Sequence, residues 1–100
     1  MSEDRSSLID DVRSLLAARP EDVPLGHAEE TLTAGYAHAL ALEAEQARLE
    51  RRMEELAHEG DAHELLGLAR RASMARRDLI HLRTLLSALR DRTRELRTAS

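Results

Sequence analysis

Two leucine-rich repeats mirror one another about a single point in this chain. Leu25, Ala28, Leu32, Gly35, Ala39, Leu42, Gln46, Leu49, Met53 and Leu56 are separated by alternating steps of three and four residues. Leu65, Leu68, Ala72, Ala75, Leu79, Leu82, Leu86, Leu89, Thr93 and Leu96 repeat the rhythm. Alternating three and four is the a/d pattern of a coiled coil. Between the repeats stands His58-Glu59-Gly60-Asp61-Ala62-His63-Glu64. Gly60 lacks a Cβ and is suited to the left-handed residue that closes a helix. Asp61 is suited to capping the next helix, with Glu64 completing a capping box. Folding the chain there sets 56 opposite 65, 53 opposite 68 and 25 opposite 96, every facing pair of numbers adding to 121. Each a position then meets a d position along the whole length. The pattern predicts an all-α fold, a long antiparallel coiled-coil hairpin of roughly 50 Å at 1.5 Å per residue.

Side-chain sizes agree with that register. Gly35 faces Leu86, Ala39 faces Leu82, Leu49 faces Ala72 and Gln46 faces Ala75, so large residues meet small ones and fill the seam without overpacking. Each fully buried leucine contributes about 1.5–3 kcal/mol. Gln46, polar at an a position, fixes register at some cost in stability. The flanking charges agree too. In an antiparallel pair e faces e, which sets Glu29, Tyr36, Glu43 and Glu50 against Arg97, Arg90, Arg83 and Arg76. The g side offers Arg52 to Glu64, Glu45 to Arg71 and His38 to Asp78.

Composition supports one helical domain over residues 1–100. Tyr36 is the sole aromatic residue, and Phe, Trp and Cys are absent. The core is therefore leucine and alanine, both strong helix formers, and no disulfide or thiol chemistry is open to it. All fifteen basic residues are Arg, a bias expected of a GC-rich bacterial genome. The acidic N-terminus does not read as a secretory signal. No run approaches the roughly 20 apolar residues of a membrane span. A cytoplasmic protein that binds no membrane is expected.

A first helix is expected over 6–19, capped by Ser6 or Ser7, with residues 1–5 frayed. Leu8, Val12, Leu15 and Leu16, flanked by Ile9, form its apolar face, and Arg13 and Arg19 suit its C-terminal end. Pro20 stops it. Residues 20–24 form a linker in which Asp22 is placed to cap the second helix, with Pro24 in its first turn. The second helix is expected over 25–59 and the third over 61–98. The short linker folds the first helix back onto the open end, into the g/c groove offering Thr31, Ala34, His38, Ala41, Leu85 and Ala88.

Tyr36, Leu40, Ala44 and Ala47 on the second helix, with Leu66, Met74 and Ile80 on the third, remain outside the seam. Exposed apolar stripes on a thin hairpin mark association. The candidate interaction residues are Tyr36, Leu40, Ala44, Ala47, Leu66 and Ile80, and the expected function is that of a small non-enzymatic adaptor. A homodimer, most simply a four-helix bundle, or an unidentified protein partner would cover them.

The tip supplies the alternative. His58, Glu59, Asp61, His63 and Glu64 are metal-ligating types, but a capped and solvated turn accounts for them, and no metal or cofactor is expected. No nucleophile triad or phosphate loop appears. With Glu59, Asp61 and Glu64 at its end, the hairpin resembles the transcript-cleavage and secondary-channel factors of bacterial RNA polymerase, whose coiled-coil tips carry acids. That resemblance implies a regulator inserting its tip into a larger machine. It rests on these three acids alone, and the globular second domain of those factors has no counterpart in these 100 residues. A last alternative is nucleic-acid binding, since residues 61–100 hold nine Arg against five acids and 1–60 hold six against fourteen. Nucleic acid is not the expected partner, because the arginines already face acids and no aromatic platform accompanies them.

Overall fold

The computed structural model describes the backbone of residues 2–99 and the side chains of residues 6–99. Three helices follow in order: α1 (Ser2–Ala17), α2 (Leu25–Glu59) and α3 (Ala62–Ala99), with a single 3₁₀ turn at Pro20–Asp22. α2 and α3 form the antiparallel hairpin and α1 packs against its open half. The molecule measures 59 × 21 × 16 Å.

The reversal is made as the sequence dictates. Gly60 has φ 81°, and its N–H donates to the Leu56 carbonyl at 2.9 Å, so the left-handed residue satisfies an end-of-helix acceptor. Asp61 Oδ1 accepts the Glu64 N–H at 3.0 Å. Only this half of the expected capping box forms. The Glu64 carboxylate lies 3.8 Å from Arg52 across the turn instead, where a full positive charge outcompetes a backbone N–H.

All twenty seam positions are buried or half-buried. Gly35 is required at its place: a Cβ there would lie 3.1–3.2 Å from two Leu86 carbons and closer still to the third. The seam divides in two. Leu32, Ala39, Leu42, Leu79, Leu82, Leu86 and Leu89 join α1 in one cluster, while Leu49, Leu56 and Leu68 form a second near the tip. The Gln46–Ala75 layer separates them. Gln46 turns its amide to Glu50 at 3.2 Å rather than into the seam.

Outside the seam the buried described residues are Leu8, Val12, Leu15 and Thr31, and they locate α1. Thr31 occupies g, and Leu85, also at g, packs on the same cluster as Leu8, Val12 and Leu15. α1 therefore fills the g/c groove, as expected. It runs parallel to α3, because Arg13 reaches His81 at 3.2 Å while Arg92 donates to the Ala18 carbonyl.

The helix ends near the linker differ from expectation. α1 spans Ser2–Ala17 rather than 6–19. Ser6 and Ser7 lie inside it rather than capping it, and the backbone of 2–5, expected to fray, is helical. Met1 lies outside the described residues. Pro20 forces Arg19 to an extended backbone (φ −66°, ψ 147°), so α1 stops short of it and Arg92 of α3 serves the freed carbonyl. Pro24 acts likewise on Val23 (φ −80°, ψ 117°). An extended Val23 keeps Asp22 from capping α2, whose flanking residue is Pro24 with no side-chain cap. α3 begins at Ala62 and ends at Ala99, against 61–98 expected.

Three substitutions test this account by urea unfolding at one fixed protein concentration. Gly35→Ala should cost about 1 kcal/mol net, overpacking outweighing the gain in helix propensity. Leu86→Ala should cost about 2–5 kcal/mol, and the double variant should lose less than the sum by at least about 0.5 kcal/mol. Strict additivity would mean the two do not meet. Asp61→Ala should cost about 1 kcal/mol through loss of the cap.

Candidate functional site

Heptad geometry gives the hairpin two sides. Around a helix the e and b positions adjoin, as do g and c. In the antiparallel pair the e and b positions of both helices share one side, which the observed ion pairs mark. Arg97 meets Glu29 at 2.8 Å and Arg83 meets Glu43. The opposite side carries Arg52–Glu64 near the tip and α1 along the open half. The e/b side is the side α1 leaves free.

The exposed large apolar residues fall mainly there. Tyr36 is 44% exposed, Leu40 66%, Ile80 56% and Leu66 53%. Tyr36 is at e; Leu40, Ile80 and Leu66 are at b. Leu40 and Ile80 stand at the same height, since their numbers add to 120 against 121 in the seam, and they flank the Glu43–Arg83 pair. Ala47, exposed at b, continues the strip on α2 toward the tip, while Ala44, exposed at f, lies at its outer edge. Two residues stand apart. Leu66 lies fourteen residues from Ile80, about 20 Å nearer the tip. Met74, at c, is on the side of α1 and lines a groove with Arg77, Asp78 and His81. The apolar stripe is thus a central patch with an outlier, not a continuous band.

An open groove adjoins the patch on the same side. It is lined by Gln46, Glu50, Met53, Ala72, Ser73 and Arg76, where small Ala72 and the outward turn of Gln46 thin the seam. A second, lined by Glu50, Met53, Glu54, Ala57 and Leu65, continues toward the tip. Glu50 and Arg76, expected to pair like the other e residues, do not. Glu50 accepts from Gln46 instead, a neighbour one turn away on the same helix. The Glu45–Arg71 pair expected on the g side is likewise absent among the described residues.

The opposition of acids and arginines read from the e positions extends to the b positions, where Glu54 and Arg94 join it. On the e/b side α2 presents Glu29, Glu43, Glu50 and Glu54 and no arginine, while α3 presents Arg76, Arg83, Arg90, Arg94 and Arg97 and no acid.

At the tip, Glu59, Asp61 and Glu64 are all exposed. Two of the three are engaged, Asp61 as the cap and Glu64 with Arg52. Arg52 also donates to Glu55 at 3.0 Å. That hydrogen bond, with the charges of Glu59 and Glu64, holds its guanidinium above arginine's ordinary pKa. His58 and His63 do not join them in a ligand set: among the described residues no three His, Asp or Glu converge as metal ligands would. No helix of the described residues is long and apolar enough to cross a membrane. Comparison of the chain with protein-family models, with curated proteins and with solved structures finds no match to any of them.

Proposed function

We propose that this chain is a small non-enzymatic coiled-coil protein that acts by association, presenting the e/b side of its hairpin to a second copy of itself or to another protein. The observation that carries the reading is the central patch. Leu40 and Ile80 stand exposed at one height, with Tyr36 one turn away, on the face that α1 does not cover. Leucine and isoleucine side chains left in water forgo about 1.5–3 kcal/mol each, and a thin hairpin has no further element with which to bury them. Association is the way such surface is covered. The open grooves along the seam suit helix or side-chain docking better than catalysis, which calls for a cleft with convergent polar groups. A cytoplasmic, bacterial setting fits the composition.

Insertion of the acid tip into a larger machine is the second reading. It is favoured by the exposure of Glu59 at the end of the rod. It is weakened by the structural employment of Asp61 and Glu64. The Arg-rich α3 as a nucleic-acid binder ranks below both, because Arg83 and Arg97 are held by glutamates.

Replacing Leu40 and Ile80 together by Glu should weaken association at least about a hundredfold and leave helicity by circular dichroism intact. Sedimentation of the full chain, alone and with extract of its native host, reads this out. A double variant that associates as the parent does would refute the reading. Glu59→Ala with Asp61→Ala should leave association unchanged. A loss there would favour the tip.

A further inference from the structure

Resting on the reading of the e/b side as an association surface, we infer that its occupant is a second copy of this chain. The two hairpins lie side by side with both tips at the same end, related by a two-fold axis along their length. The argument is one of sign. Two copies stacked face to face admit two kinds of two-fold axis. An axis crossing the hairpin lays α2 on α2 and α3 on α3. That arrangement sets four glutamates against four and five arginines against five, and like charges in a closing interface are destabilising. An axis along the hairpin lays α2 of each copy on α3 of the other, antiparallel. Every acidic strip then meets a basic one.

Height matches as well as sign. Along that axis a residue keeps its level, so Leu40 of one copy meets Ile80 of the other, and the reverse contact follows by symmetry. Between these two apolar contacts lie both Glu43–Arg83 pairs. Each carboxylate gains a second guanidinium, and the four charges alternate, which lowers the cost of enclosing them compared with a lone pair. Tyr36 reaches the level of Arg83 in the second copy, where its ring is available to the guanidinium. Arg76 and Glu50, which do not pair with each other within the chain, come to face the opposite strip. Ala47 meets Ser73, two small residues that let the helices approach closely. α1, on the far side of each hairpin, is not in the way. Even the narrower long face, 59 Å by 16 Å, exceeds the roughly 800 Å² per partner of a standard interface.

The chain contains no cysteine, so single cysteines report orientation cleanly. Ala47→Cys and Ser73→Cys should each be prepared, mixed under reducing conditions and then mildly oxidised, with products read on a non-reducing gel and by mass. The expected result is a covalent heterodimer from the mixture, no covalent dimer from either variant alone, and a dimer of the unmodified chain by sedimentation equilibrium. In the background of Leu40→Glu and Ile80→Glu the cross-link yield should fall at least about tenfold. Thr33→Cys mixed with Ala47→Cys reports the crossing axis through Leu40, and efficient linkage of that pair instead would overturn the proposed arrangement. A chain that stays monomeric at about 100 μM, where even a weak dimer populates, would overturn the second copy altogether. The association reading would then survive only if the Leu40 and Ile80 double variant still lost a heterologous partner.

Discussion

Burial of the mirrored leucine layers fixes the phase of two long helices, and the remaining features are positioned by that phase. Gly60 supplies the reversal, with φ 81° that other residues rarely adopt. The facing layers then allow no slip, because a shift of one residue would turn each leucine away from the seam. Gly35 beneath Leu86 is the tightest statement of this constraint. With phase set, e meets e on one side and g meets g on the other. α1 takes one of those sides, and the other stays open. Sidedness, and with it the candidate surface, is thus a consequence of packing rather than a separate device.

The ion pairs work differently from the seam. Arg97–Glu29, Arg83–Glu43 and Arg52–Glu64 are all well exposed, and exposed pairs contribute about 0–1 kcal/mol each. They add little to stability. Their effect is on choice, since they favour this antiparallel register and leave the two strips of the free face with opposite sign. A surface patterned in that way discriminates between arrangements that bury equal apolar area.

The heptad repeat made the hairpin, the bounds of α2, the turn and the docking groove of α1 legible, because leucine spacing reports the largest favourable term. What the sequence reading missed were choices among weaker, competing interactions. Ser6 and Ser7 are good caps, but α1 begins at Ser2 and takes both into its body. Asp22 is a good cap, yet Pro24 holds Val23 extended and denies it the role. Glu64 had two partners within reach and took the charged one, and Glu50 took the nearer amide over Arg76. The surface was legible residue by residue, since Tyr36, Leu40, Leu66 and Ile80 are all exposed. Its division into a central patch with Leu66 apart, and with Met74 on the other side, emerged only once the helices were set side by side.

The division of the core at the Gln46–Ala75 layer bears on motion. Leu49, Leu56 and Leu68 hold the distal half without help from α1, while the proximal half closes three helices around a larger cluster. Cooperative units of unequal depth open independently, the shallower at lower free energy. The distal arms are therefore the compliant part of the rod. Because Gly60 ties their ends together, that compliance loosens the layers between Gln46 and the turn and does not part the tip.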